Sequence, residues 1–364
     1  MKIMHVEAGM SLYGGALQVK NLIEGLQRRG VANVLVCPHG AVIGQHIANA
    51  GIPVHEIGLS GDLDIGAIGR ISRLIRQERP DIVHLHSRRG ADLMGGLAAR
   101  RCGVRAVHSR RNENPEPRWF ARYKYGLFDR VVAISGAIRD VLLGYGLPPS
   151  KVVLVRSAYE PPAGLTVASR AELCERFSLP GDSFVIGVIA QLIERKGHRY
   201  LIQALPEVLA RHPLVQVLFF GQGGEQERLE RQIRDAGLQR SVHLVGFHAD
   251  LMHWLGALDL VVHPALMEGL GVSLLQASSL GIPIIASRAG GIPEAVRDGL
   301  NGLLVPPADV AALTQALLRL IPDDALRRQF GDAGKKLVDE EFSFAKMVDG
   351  NLAVYQDLLT RAPR

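Results

Sequence analysis

The sequence predicts an α/β protein built of two doubly wound domains, and three observations carry that prediction. Short apolar strands alternate with amphipathic helices from the first residues onward, the rhythm of a parallel sheet covered by helices on both faces. The alternation pauses after Pro161 and restarts at the strand SFVIGVIAQ, Ser183 to Gln191. At 364 residues and 47% hydrophobic, the chain is long enough for two domains with full cores.

The first half opens with the strand KIMHVEA and a helix from about Gly15 to Arg29. The strand ANVLVCP, a helix near Ile43 to Ala50 and the strand VHEIG follow. Between the first strand and helix lies GMSLYGGA, where Gly14 and Gly15 resemble a dinucleotide phosphate loop without matching G-x-G-x-x-G. No acidic residue ends ANVLVCP to hold a ribose, which disfavours a nicotinamide dehydrogenase. DIVHLHS puts His84 and His86 on one side of a strand. Two histidines two apart could share a metal, but no third ligand is evident nearby in sequence, so none is assigned. His86, at the carboxyl end of the strand, is the better candidate to face a ligand; His84 reads as a satisfied core residue. Strand, helix and strand continue through VVAISGAIRDVLL and KVVLVRSAYEPP, and Pro161 to PGDS reads as the connection between the halves.

The second half repeats the rhythm through VQVLFFGQGG, a helix over Glu225 to Ala236, VHLVGF and LDLVVHP, and closes with GLLVPP and three helical patterns. Its centre is HPALMEGLGVSLLQ, His263 to Gln276, which predicts a buried strand end, a glycine-bearing turn and a helix start. Gly269 and Gly271 let the backbone turn tightly, and the first free N–H groups near Val272 and Ser273 offer a phosphate site at the positive end of the helix dipole. Glu268, a carboxylate beside that site, would serve hydroxyls on the same ligand. A sugar attached to a diphosphate has both parts.

Composition excludes several classes. No apolar run reaches the roughly 18 residues needed to span a bilayer, and the N-terminus enters a strand pattern at once, so a cytoplasmic protein is expected. Cys37, Cys102 and Cys174 show no metal-ligand spacing and read as small buried residues. The formal charge of +6 hides an asymmetry, because residues 1–180 carry a net charge of about +9 and the remainder about −3. With no basic helix bearing base-reading polar residues, no zinc knuckle and no RNA-binding aromatic signature, nucleic acid is not expected; an anionic lipid surface or a phosphorylated acceptor fits better. The segment Pro117 to Phe128 adds Trp119, Tyr123 and Leu127 at helical spacing with Arg118, Arg122 and Lys124 beside them, a pattern suited to an anionic membrane interface.

Taken together, HLHS, ISGAIRD, AQLIERKGH, FFGQGGEQERLE, EGLGVSLLQ, GGIPE and the Val354–Tyr355 pair resemble the retaining glycosyltransferases of the two-domain GT-B fold, family four, over nearly the whole chain. The resemblance implies two Rossmann-like domains facing a cleft. Residues 1–165 would hold the acceptor, residues 166–345 the nucleotide sugar, and a final helix at about 346–364 would cross back to the first domain. It implies transfer of a hexose-type sugar from a UDP- or GDP-linked donor to a glycan or lipid-linked acceptor in envelope polysaccharide or lipopolysaccharide synthesis, with no metal and no cofactor, by a protein peripheral on the inner face of the membrane. Lys196 matches the lysine that holds the donor diphosphate, Glu268 the first glutamate of a Glu, seven residues, Glu signature, and Leu270, Gly271 and Val272 the backbone that meets phosphate and sugar. Lys196, Glu268 and His86 are thus the catalytic candidates, and Gly14, Gly15, Gln191, Lys196, Gly269, Leu270, Gly271, Val272 and Gln276 the donor-binding ones. Four positions depart from the family pattern: Gln276 replaces the second glutamate, Gln191 an arginine, Arg111 stands where a histidine is common, and SAYE at Ser157 to Glu160 replaces an asparagine–glycine pair. A glutamine at Gln276 can still accept one ribose bond and donate another, without charge assistance. Two other readings share the architecture: a sugar-nucleotide epimerase or hydrolase, and a non-catalytic nucleotide-sugar-binding partner.

Overall fold

A computed structural model describes residues 1–361 apart from 13, 62, 87–90 and 113. Ser87 of HLHS and the last three positions of the final helical pattern lie outside the described residues. In chain order the elements are β1 (Lys2–Val6), α1 (Gly14–Arg28), β2 (Ala32–Pro38), α2 (Val42–Asn49), β3 (Val54–Ile57), α3 (Gly66–Glu78), β4 (Ile82–Leu85), α4 (Ala91–Arg101), β5 (Arg105–Arg110), α5 (Arg118–Gly126), β6 (Arg130–Ala133), α6 (Gly136–Gly144) and β7 (Val152–Leu154). They continue with α7 (Arg170–Arg176), β8 (Phe184–Ile189), α8 (His198–Arg211), β9 (Val215–Phe220), α9 (Gln226–Asp235), β10 (Val242–Gly246), α10 (Leu251–Leu255) and β11 (Leu260–His263). The last are α11 (Val272–Ser279), β12 (Ile284–Ser287), α12 (Ile292–Ala295), β13 (Gly302–Val305), α13 (Val310–Leu320), α14 (Asp324–Glu341) and α15 (Phe344–Thr360).

The chain divides into two compact units, Met1–Ala158 with Phe344–Arg364, and Tyr159–Ser343. Each is a Rossmann-like α/β layer structure. The first carries a seven-stranded sheet in the order β3-β2-β1-β4-β5-β6-β7 and the second a six-stranded sheet in the order β10-β9-β8-β11-β12-β13. Every pairing is parallel. Strands covered on both faces must be apolar along their length, and the central ones are: Ile3, Met4 and Val6 of β1, and Val185, Ile186 and Val188 of β8, are fully buried. In the first unit Leu22 and Leu26 of α1 pack with Val348, Tyr355 and Leu358 of α15, so this last helix completes that unit's core. In the second, Leu201 and Leu205 of α8, Leu317 of α13 and Phe330 of α14 pack over β8 and β9.

The strand order matters for function because it reverses once in each sheet, between β1 and β4 and between β8 and β11. At such a reversal the connections leave toward opposite faces, opening a crevice beyond the carboxyl ends of the two strands where ligands bind in open α/β sheets. The β1–α1 turn and His86 lie at the first crevice. Lys196, after β8, and Glu268, after β11, lie at the second.

Candidate functional site

In the second unit, three loops that leave adjacent strands are tied to one another through their backbones. Leu266 N–H donates to the Arg195 carbonyl at 2.8 Å, and Gly291 N–H donates to the Glu268 carbonyl at 2.9 Å. Gly197 sits in the left-handed region at φ 71°, and a Cβ there would lie 1.9 Å from the Pro264 carbonyl oxygen, so the RKG turn can approach β11 this closely with glycine alone. These ties bring Lys196 to Glu268. The Lys196 ammonium donates to Glu268 Oε2, His263 Nε2 lies 3.0 Å from the same oxygen, and Gly269 N–H donates to Oε1 at 3.1 Å.

The side chains of Lys196 and Glu268 are 11% and 15% exposed, enough for a ligand to reach them while most water is excluded. Burial alone would push the Glu268 carboxyl up, but the His263 hydrogen bond and the Lys196 charge overcome it and hold the group well below the usual carboxylate range. His263 is itself lowered by burial, against the pull of Glu268. The carboxylate is therefore ionised at neutral pH. Gly271, at φ 87°, caps α11 with no side-chain hydrogen bond. The N–H groups of the first turn, at Val272 and Ser273, have no intrahelical acceptor, and the buried Leu270 fixes the turn ahead of them. A cation, held on Glu268, and the helix N-terminus that begins four residues after Glu268 are thus brought into one tied group of loops, an arrangement suited to a diphosphate.

Gln191 lies just past β8 with its side chain exposed, and its carbonyl accepts from Ile193 N–H at 2.9 Å. Gln276 is half-buried on α11. Burial pushes the Tyr159 hydroxyl up to about 12, and Gln276 stands close enough to oppose that shift. The hydroxyl nevertheless has no hydrogen-bond partner among the described residues. His263 is the residue that sequence reasoning left without a role; its position at the last residue of a strand lying beside the crevice was the available signal.

The first unit holds a second polar cluster. His5 pairs with His84 in the β1–β4 register, and this supplies the third imidazole that sequence proximity had not revealed. The expectation that His84 and His86 lack a third neighbour is thus corrected: ligand atoms of His5, His84 and His86 lie within 4.8 Å of one another. Their nitrogens are largely committed. His5 Nδ1 meets His86 Nε2 at 2.9 Å and His5 Nε2 meets Asn33 at 3.1 Å, while His84 meets Tyr355 at 2.5 Å and Ser109 at 2.8 Å. A metal could be held by all three only if some of these bonds were given up. Burial lowers all three, His5 to about 4, and the cluster is neutral at pH 7. His86 lines a cavity of about 180 Å³ with Gly15, Arg110 and Arg111. Gly14 opens α1 at φ 38°.

The segment Pro117 to Phe128 differs from its expected arrangement. Trp119 and Tyr123 are 75% and 54% exposed, with Arg118 and Arg122 beside them on α5. Lys124 and Leu127, however, are buried, because a carboxylate pair, Asp92 and Glu116, draws the ammonium inward and the core takes the leucine. The outward face is therefore smaller than the sequence pattern implies.

Comparison with known proteins gives two family matches, Glycosyltransferase Family 4 over residues 13–160 and Glycosyl transferases group 1 over residues 169–337. The chain is similar to the lipopolysaccharide core biosynthesis glycosyltransferase LpsE of Rhizobium meliloti, at 26% identity over 100% of both chains. It is 30% identical to the D-inositol 3-phosphate glycosyltransferase of Thermobifida fusca over 77% of this chain and 70% of that one. Among solved structures, HepE of Anabaena in complex with UDP has the same fold, with a TM-score of 0.85 at 20% identity over 98% of this chain and 100% of that one.

Proposed function

The chain belongs to the family-four, group 1 glycosyltransferases, and from that premise we propose that it transfers a hexose-type sugar, with retention, from a UDP- or GDP-linked donor held by the second unit to a glycan or lipid-linked acceptor held by the first, in envelope polysaccharide or lipopolysaccharide synthesis. The observation that carries the donor assignment is the Lys196–Glu268–His263 cluster beside the N-terminus of α11. As the bond from the sugar C1 to the diphosphate oxygen breaks, negative charge grows on the diphosphate. Lys196 and the α11 N–H groups are positioned to stabilise it, and stabilisation of this kind is worth most where water is excluded. Glu268, with lone pairs left beyond its three protein bonds, accepts from sugar hydroxyls and keeps the lysine oriented. The acceptor hydroxyl oxygen forms the new bond to C1 and gives its proton to the diphosphate oxygen that departs with the bonding pair. Retention places attack and departure on one face of the ring, so no protein nucleophile is assigned. Gln276, with Gln191 and the Gly269 to Val272 backbone, is assigned to the donor side; Gly14 and Gly15, expected from the sequence to bind the donor, and His86, expected to be catalytic, belong to the first unit and are assigned in this reading to the acceptor side.

Two features of other proteins support it: HepE is named in complex with UDP, and LpsE acts in lipopolysaccharide core biosynthesis. Association with an anionic membrane would use Trp119, Tyr123, Arg118 and Arg122 of α5, since no helix among the described residues is long and apolar enough to cross one. A thermal-shift panel of UDP, GDP and their sugar conjugates tests the donor assignment, because a ligand that binds the folded state alone raises its stability by mass action. One nucleotide series should raise Tm in the wild type and lose that effect in Lys196→Ala. Failure of every nucleoside diphosphate to shift Tm would remove the donor assignment.

A further inference from the structure

The 180 Å³ cavity of the first unit contains more unsatisfied hydrogen-bonding capacity than its size would suggest. It is far larger than one water needs and smaller than a drug-sized pocket, so it suits an acidic group and part of the ring that bears it. Four side chains that line it carry a buried polar atom with no hydrogen-bond partner among the described residues: Nδ1 of His86, Nδ1 of His108, Nη1 of Arg110, which has only an ion pair at 3.7 Å with Glu116, and Nε of Arg111. His86 and Arg110 are each 2% exposed. Buried polar groups are nearly always bonded, so four orphans around one cavity indicate a place for something else.

Charge decides what that something is. Lys124 is closed off by Asp92, at 3.2 Å, and by Glu116. Arg110 lies 3.7 Å from Glu116 and donates to the carbonyls of Asn112 and Asn114 at 3.0 and 2.8 Å. Arg111 is left over. Its one hydrogen bond among the described residues goes to the Ser157 hydroxyl at 3.3 Å, and no described carboxylate lies within ion-pair distance of it. Glu7 is near enough to favour its charge, yet burial prevails and lowers the guanidinium to about 10, so it stays charged at pH 7. A shielded cation with no carboxylate in contact is costly unless an anion completes the site. The neighbouring histidines add no positive charge of their own, since burial holds His108 at about 4 and His86 well below its ordinary value. The first turn of α1 lies against Arg111, because a Cβ at Gly15 would meet Arg111 Cδ at 3.4 Å. That turn has no acidic residue of its own, and its positive end faces the same cavity, which the Glu7 carboxylate also lines.

We propose that this cavity is an anion subsite that takes the phosphate or carboxylate of an acidic sugar acceptor, with Arg111 as the charged contact and the α1 N-terminus and His86 as additional partners. The proposal rests on the first unit holding the acceptor, and it narrows that acceptor to a sugar bearing a negative group.

Calorimetry on the full chain at constant ionic strength tests it with glucose 6-phosphate and glucuronate as probes, glucose as the neutral control, and inorganic phosphate as competitor. The acidic probes should bind at least about tenfold more tightly than glucose, and inorganic phosphate should displace them. Arg111→Gln should weaken them roughly 30-fold, the scale of a lost charge-assisted bond, and Arg111→Lys should recover part of the loss. Equal binding of glucose and glucose 6-phosphate would overturn the proposal and leave the cavity to water. So would undiminished binding in a folded Arg111→Gln, or binding confined to vesicles containing phosphatidic acid, which would make the ligand a lipid headgroup. The nucleotide response of the second unit, measured in the same variants, should not change, and its loss in the wild type would refute the donor reading instead.

Discussion

Removing the Lys196 ammonium separates the catalytic use of the Lys196–Glu268 pair from its structural one. On the proposed donor assignment, Lys196→Ala takes the side-chain cation from the diphosphate while the α11 N–H groups remain. On the scale of one lost transition-state contact, kcat/KM should fall about 100-fold or more, near 2.7 kcal/mol. The same change leaves Glu268 in a mostly buried place with His263 at 3.0 Å and Gly269 N–H at 3.1 Å as its remaining partners. Breaking a fully buried pair costs about 3–5 kcal/mol, and because the two side chains keep 11% and 15% exposure the expected loss here is nearer 2 kcal/mol. Lys196→Met combined with Glu268→Gln removes both charges, so most of that stability should return while activity does not. The sign with pH follows from the depressed Glu268 carboxyl: it contributes stability above its ordinary 4.5, and the contribution is lost as pH falls through its lower native value. Without Lys196 the native value rises toward 4.5, so this acid loss should be smaller and complete at higher pH. Urea unfolding from pH 7 to pH 3 reads the stability, and initial rates on the donor that shifts Tm read the activity. A folded Lys196→Ala with near wild-type kcat/KM would refute the reasoning, since then neither charge acts in the transition state.

Two further outcomes follow from burial. His5, His108 and His198 have folded values of about 4, 4 and 3 against 6.5, so the unfolded chain takes up protons first on acidification; stability should drop between pH 6.5 and 4, by about 2 kcal/mol per histidine at pH 5. A urea midpoint unchanged between pH 7 and pH 5 would show that these rings are not held neutral. Sedimentation with vesicles containing anionic lipid should retain the protein at low salt and lose it when Arg118, Arg122 and Trp119 are changed to Ser, whereas absence of wild-type binding at low salt would remove the membrane surface.

The residues that were legible in the sequence share one property: their placement follows from the local chain. The parallel sheets could be read because buried parallel strands are continuous apolar runs, such as VVLV and FVIGVI, broken by glycine turns and followed by amphipathic helices. Gly269, Gly271 and Glu268 could be read for the same reason, since a strand, a turn and a helix start within 14 residues fix their own geometry. The contacts that were not legible are those a sheet makes between segments distant in sequence. His5 and His84 are 79 residues apart and meet because β1 and β4 are neighbours in register, which no spacing along the chain encodes. Lys124 looked like one of three outward basic groups on a helix. Its direction was set by Asp92 on α4 and Glu116 ahead of α5, two carboxylates whose convergence depends on how α4 packs beside β5. The same limit explains Arg111. From sequence it is one more arginine in SRRNENP, but once the neighbouring ammonium and Arg110 are matched to carboxylates, it is the cation of that cavity that no described carboxylate reaches within ion-pair distance, Glu7 lying farther off. Charge counted along the chain gave the first half an excess of about nine positive groups. Charge counted around the cavity balances, Arg110, Arg111 and Lys124 against Glu7, Asp92 and Glu116, and Arg111 is the one of these cations with no ion pair among the described residues.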